Sequence, residues 1–196
     1  MITFSPETHE YKKDGLVIPS VTQIIAEAGL VGGDFSFVPS EVLEKKRDIG
    51  KKVHLVCVLY EQKKLDEDRL NPVLAGYLES WKKFVKISGY VSEEVEKIYY
   101  SERYHFAGTI DTVGIKGKGK TIIEIKTGTK KISDQIQTAG YELLYNENNK
   151  DKVKKRLAVY LKENGDMPTI QEHKDKTDSP VFLACLTLMN FKKRRR

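Results

Sequence analysis

Asp111, Glu124 and Lys126 lie in GTIDTVGIKGKGKTIIEIKTG, residues 108–128, a stretch otherwise dominated by the β-branched residues of a buried strand. Charges in such surroundings must be paired or bind an ion, because an uncompensated buried charge is costly. Gly117-Lys118 stands between two β-branched runs and suits a two-residue II′ hairpin turn. If Lys116 pairs with Gly119, counting back from the turn sets Asp111 opposite Glu124, with Cβ atoms about 4.5–5.5 Å apart on one face. Side chains alternate along a strand, so Lys126 shares the face of Glu124 while Ile123 and Ile125 point the other way. Opposed carboxylates repel. The pattern therefore calls for a divalent cation between Asp111 and Glu124, with Lys126 beside it.

The elements that must position these residues follow from turn and cap signals. HEYKKDGLVIPSVT reads as a small hairpin turning at Asp14-Gly15, after which Ser20 caps a short helix ending at Gly29. A loop, VGGDFSFVP, leads to Ser40 as N-cap of a long helix running to about Lys63. Asn71-Pro72 opens another helix to about Ile87, with Leu74, Leu78, Trp81 and Val85 at helical spacing. Residues 94–101 and 104–127 read as strands and 133–149 as a helix; RLAVYLKENG and PTIQEHK give two more strands around a Gly165 turn. Ser179-Pro180 opens a last helix, VFLACLTLMNF, before a basic tail at 192–196. Helices before and after a mixed sheet imply an α/β (α+β mixed sheet) class in one domain spanning 1–196, with residues 1–30 as an N-terminal hairpin and short helix.

Two helices carry further candidates. Ile136, Ala139, Gly140, Leu143 and Leu144 mark the buried face of the 133–149 helix, and Gln137 and Tyr141, four apart, border it. By spacing alone that pair is either a boundary of the core or a polar couple reaching a phosphate or base. His54 sits among Val53, Val56, Cys57 and Tyr60 on the first long helix. It is either a hydrogen-bonded core histidine or an imidazole completing a carboxylate site for Mn²⁺ or Mg²⁺. His9, His105 and His173 have no comparable setting and read as surface or strand residues.

With 196 residues, 39% hydrophobic and 32% charged, the chain has the composition of a globular protein able to bury one substantial core. No apolar run approaches the roughly 20 residues of a membrane span, and the first residues lack a signal-peptide core, so no membrane partner is expected. Cys57 and Cys185 are too few and too isolated for a disulfide framework or a zinc site, which fits a reducing cytoplasm. A net charge of +6 is compatible with a polyanionic partner, although much of the excess lies in the terminal KKRRR.

The order GKKVH at 50–54, AGTID at 107–111, IIEIKTG at 122–128 and QTAGY at 137–141 resembles the PD-(D/E)XK nuclease superfamily, in its RecB-like branch and the phage-type exonucleases within it. HEYKKDGLVIPSVTQII and VFLACLTLMNF look like the ends of such phage proteins, so the likeness spans nearly the whole chain. It implies a restriction-endonuclease-like core, a mixed sheet flanked by helices. It makes Asp111 and Glu124 metal ligands, Lys126 the catalytic lysine, His54 a further ligand, and Gln137 and Tyr141 the family's helix motif. Glu96 stands where many relatives carry an acid and is a secondary candidate. The implied activity is metal-dependent DNA exonuclease action with Mg²⁺ or Mn²⁺, in phage-type recombination, repair or processing. The Ile125 carbonyl could add an oxygen ligand. Lys126 would orient water or stabilise developing charge, and Lys130 and Lys131 would contact the backbone of single-stranded DNA or duplex ends. A homo-oligomer or a recombination-protein partner stays open. The alternatives are a structure- or sequence-specific endonuclease on the same fold and a non-catalytic DNA-binding module.

Overall fold

A computed structural model of the chain describes residues 1–30 and 39–195. The loop expected at 31–39 lies, apart from Pro39, outside the described residues, as does Arg196. The chain begins with strands β1 (Ile2–Ser5), β2 (Glu10–Lys13) and β3 (Leu16–Ile18), an antiparallel sheet in that order. Asp14 and Gly15 turn the β2–β3 hairpin with φ of 50° and 84°, the left-handed pair that a I′ turn requires. Helix α1 (Val21–Glu27) follows with a capping box, Ser20 Oγ accepting from the Gln23 N–H and Gln23 Oε1 from the Ser20 N–H.

Helices α2 (Ser40–Glu61) and α3 (Pro72–Ser88) come next, then β4 (Val91–Ser101), β5 (Phe106–Lys116), β6 (Gly119–Lys126), α4 (Ile132–Asn148), β7 (Val153–Tyr160), β8 (Thr169–Glu172) and α5 (Asp178–Lys193). Strands β4 to β8 form one mixed sheet in sequence order. Its single parallel pairing, β6 with β7, is the one that α4 crosses over to make. Helices cover both faces. Val21, Ile24, Ile136, Leu144, Phe182 and Leu186 pack on Ile110, Val113 and Ile122. On the other side Val53, Cys57, Trp81 and Phe84 pack on Ile123, Ile125, Leu157 and Val159. Strand β6 is thus buried on both faces, which explains its near-continuous apolar run. The result is a mixed α/β fold consistent with the restriction-endonuclease-like core expected from the sequence.

Three local expectations are corrected. Pro39, not Ser40, occupies the N-cap of α2, and no side chain among the described residues caps that end; Ser40 is already helical. The basic tail is partly helix, since α5 runs through Lys193 and the Lys192 ammonium donates to the Glu27 carbonyl at 2.9 Å. Cations in a last turn complement the helix dipole. His173 is neither a surface residue nor within a strand. It lies just after β8, 6% exposed, with Nδ1 2.9 Å from Thr138 Oγ1. The Thr138 hydroxyl donates to the Gln135 carbonyl, so it accepts from His173 Nδ1–H, leaving Nε2 an unprotonated buried atom without a partner among the described residues.

Burial, with the Arg156 charge second, holds the His173 pKa below its ordinary 6.5. As pH falls below about 6.5 the unfolded chain binds a proton that the folded chain refuses, so stability drops with a slope of up to about 1.4 kcal/mol per pH unit. His173→Gln removes that increment, which thermal melts of both proteins between pH 5 and 7.5 would reveal as converging curves at the acid end.

Gly76 lets α3 approach the β7–β8 connection. A Cβ there would lie 1.7 Å from the Glu163 carbonyl oxygen, on a connection also tied to α3 by Ser80 and Lys83. Gly76→Ala should destabilise by about 1–3 kcal/mol through overpacking, against the roughly 1 kcal/mol that alanine adds to a helix interior. A lowered urea midpoint at unchanged m-value is the expected result.

Candidate metal centre

The β5–β6 register is the one counted from the turn: Lys116 pairs with Gly119, and the ladder runs to Thr112 opposite Ile123. Gly117 has φ of 67° while Lys118 is not in the left-handed region, as a II′ turn demands. Backbone pairing stops one step short of Asp111 and Glu124. There Asp111 replaces the ladder, its Oδ2 accepting the Ile125 N–H at 2.7 Å.

Asp111 Oδ1 lies 3.4 Å from His54 Nδ1, which reaches down from α2. Glu96 completes a triangle, since one ligand atom each from His54, Glu96 and Asp111 lie within 4.8 Å of one another. Strand β4 pairs with β5 at Val95–Thr112 and Lys97–Ile110, which puts Glu96 opposite Asp111 between those pairs. Glu96 has φ of 50°, a left-handed conformation that a non-glycine residue adopts at a cost of roughly 1–3 kcal/mol where surroundings enforce it.

Glu124, 3% exposed, stands outside the triangle. Its Oε1 accepts from Lys126 Nζ at 2.9 Å and from Gln137 Nε2 at 2.8 Å. Its Oε2 is buried with no hydrogen-bond partner among the described residues. Gln137 Oε1 accepts from Lys126 at 2.9 Å, and Gln137 Nε2 also donates to the Tyr141 hydroxyl at 3.0 Å. Gln137 and Tyr141 come from α4, whose first turn supplies Asp134; its Oδ2 accepts from the Lys131 N–H at 2.9 Å and from the Tyr160 hydroxyl at 2.6 Å.

Electrostatics divides the carboxylates. Burial would raise the Asp111 pKa, but the His54 charge and hydrogen bond, the Ile125 N–H and Lys126 together hold it below the ordinary value. Glu124 is pushed up to about 7 by burial and then by the Asp111 charge, against the pull of Lys126 and His54. Glu96 also rises to about 7. The residue as a whole is exposed, but a carboxyl oxygen lies within 4.8 Å of His54 and Asp111 ligand atoms; desolvation leads the rise and Asp111 adds to it. Burial alone would lower His54, yet Asp111 first, then Glu124 and Glu96, carry it to about 9. Three carboxyl groups that hold protons or borrow a charged histidine are an anionic cluster short of positive charge.

The structure thus brings together Asp111, His54 and Glu96, and sets Glu124, Lys126, Gln137 and Tyr141 in one network beside them. Gln137 and Tyr141 do not reach outward towards a phosphate. Both are buried, and the amide of Gln137 is spent on Glu124, Lys126 and Tyr141. Lys130 and Lys131 are exposed between β6 and α4. Ile125 meets the site through its N–H, while its side chain packs under α2 and α3. Asp134 and Tyr160 are absent from the sequence-level candidates. An acid in a first helical turn is ordinary, and a tyrosine in an apolar strand gives no signal.

No protein-family model matches the chain, and no curated protein matches it. Among solved structures it is similar to an alkaline exonuclease (LHK-Exo) from Laribacter hongkongensis, at 17% identity over 74% of this chain and 84% of that one, with a TM-score of 0.36. It is also similar to LHK-Exo in complex with dAMP, at 14% identity over 91% of this chain and 92% of that one, with a TM-score of 0.41.

Proposed function

We propose that the protein is a divalent-metal-dependent deoxyribonuclease of the PD-(D/E)XK type that degrades DNA from its ends. The observation that carries this is Glu124 Oε2, a buried carboxylate oxygen with no hydrogen-bond partner among the described residues, beside the Asp111–His54–Glu96 triangle and the Lys126 ammonium. Carboxylate oxygens with one imidazole suit Mg²⁺ or Mn²⁺, so the residues fit such an ion. Asp111, Glu124 and His54 would hold it, with the Ile125 carbonyl and Glu96 available as further oxygen donors. The ion supplies Lewis-acid polarisation at a phosphate oxygen.

The chain's own residues supply the rest. Lys126, fixed by Glu124 and Gln137, presents its ammonium where charge builds during in-line displacement, a contribution worth a few kcal/mol when preorganised. Gln137, steadied by Tyr141, keeps Glu124 Oε1 engaged and so would leave Oε2 available to an ion. Exposed Lys130 and Lys131 contact the DNA backbone, a salt-sensitive interaction blind to sequence. Action from ends, rather than at internal sites, follows the phage-type exonucleases that the motif order resembles.

The test is a time course on end-labelled single- and double-stranded DNA, linear and circular, with Mg²⁺, Mn²⁺ or EDTA. Shortening of linear DNA with circular DNA intact, dependent on metal, is the expected result. Linearisation of circles would make the protein an endonuclease on the same fold. Binding without cleavage under every metal would leave a DNA-binding module.

A further inference from the structure

We propose that Asp134, braced by Tyr160, is a positioning residue for Lys126. The inference rests on Lys126 as the reacting ammonium of the proposed nuclease. Lys126 makes hydrogen bonds to Glu124 Oε1 and Gln137 Oε1, each at 2.9 Å, and its further ionic neighbour is Asp134 Oδ1 at 3.7 Å. That separation is an ion pair rather than a hydrogen bond.

Asp134 does more than cap its helix. A first-turn acid that only caps accepts from the N-cap N–H, and here one oxygen, Oδ2, does so at the Lys131 N–H. The same oxygen also receives the Tyr160 hydroxyl from β7 at 2.6 Å, and the carboxyl is buried at 3% exposure. Capping requires neither feature. With Oδ2 held from both sides, Oδ1 is the oxygen left near Lys126. A buried carboxylate needs a cation close by, and the half-buried Lys126 ammonium is the one beside Asp134.

The two anions around Lys126 differ in duty. Glu124 has a free oxygen for a metal ion, so an ion bound there shares its charge. Asp134 is not part of the His54–Glu96–Asp111 triangle, and its charge remains with Lys126 whatever Glu124 binds. Asp134 is also three residues before Gln137 on α4, so the contact that fixes the helix start fixes the amide that orients Lys126.

Asp134→Asn, Asp134→Glu and Tyr160→Phe separate this role from capping. Asparagine keeps the shape and can still accept from Tyr160 and the Lys131 N–H, but lacks the charge. Each variant is assayed for melting temperature, binding of a short DNA in Ca²⁺, single-turnover cleavage, and the position of Lys126 Nζ in a crystal structure. For Asp134→Asn the expected results are near wild-type melting and DNA affinity, cleavage slowed about 10–100-fold, and Lys126 withdrawn from Glu124 and Gln137. Tyr160→Phe should show the same pattern more weakly, and Asp134→Glu should restore much of the rate. Asp134→Asn cleaving at the wild-type rate with Lys126 in place would reduce Asp134 to a helix cap. If Asp134→Asn does not fold, Tyr160→Phe, which removes only a hydroxyl, carries the same two readouts. Should the wild-type protein cleave no DNA under any metal, the nuclease proposal fails, while the crystallographic position of Lys126 still decides the positioning role.

Discussion

Lys126→Ala should lower single-turnover cleavage by about 10²–10³-fold, the usual consequence of deleting one preorganised electrostatic group. Its ammonium is held by Glu124 and Gln137 at 2.9 Å each, within the site rather than along an exposed surface. Binding of a short DNA in Ca²⁺ should change little, because one phosphate contact among several contributes a small part of a counterion-release affinity. Fold stability should fall moderately: Glu124 and Asp134 both lose a counter-charge, while Glu124 keeps the Gln137 amide and Asp134 keeps the Tyr160 hydroxyl and the Lys131 N–H. Replacing exposed Lys130 and Lys131 by alanine should do the opposite, weakening binding and reducing the salt slope by about one for each lysine that had neutralised a phosphate, with the chemical step nearly intact. Single-turnover cleavage and equilibrium binding on one substrate distinguish the two patterns. Equal loss of binding in both variants would show that Lys126 is merely another backbone-binding lysine.

Asp111→Asn should be at least as severe. Asp111 is the residue that the other groups share: it lies against His54, accepts the Ile125 N–H and raises both Glu96 and Glu124. Asparagine can preserve the Ile125 hydrogen bond, so the strand geometry should survive. The loss is of a metal ligand, and metal stabilisation worth several kcal/mol corresponds to a rate decrease of about 10³-fold or more. His54 should respond too. With its principal counter-charge removed, its pKa should fall from about 9, which NMR titration of the imidazole would register. A His54 titration unchanged in Asp111→Asn would mean that the two do not interact in solution.

What could be read from the sequence follows the range of the interactions that fix each feature. The β5–β6 register was legible because a two-residue turn sets it locally, and the structure keeps it from Lys116–Gly119 to Thr112–Ile123. The buried face of α4 was legible because helical periodicity is a local property. Glu96 could only be suspected. Its place opposite Asp111 depends on a register shift between Ser92 and Glu94 and on a left-handed backbone at Glu96 itself, neither of which residue types encode. The inward use of Gln137 and the burial of His173 depend on where α4 lies across β6 and β7 and on its Thr138 meeting the residue just after β8. Asp134 shows the limit most clearly, because an acid at N3 satisfies a local rule whether or not a lysine from another strand waits beside it.

Whether these charges form one metal site is decided by calorimetric titration of Mn²⁺ into the metal-free protein. The expected result is saturable binding with proton release, since Glu124 and Glu96 have pKa values of about 7 and His54 about 9 in the metal-free protein and ligands must deprotonate to coordinate. Asp111→Asn should abolish that binding and His54→Ala should weaken it, with both variants folded. No Mn²⁺ uptake by the wild-type protein, or uptake unchanged by Asp111→Asn, would contradict the assignment of a metal site.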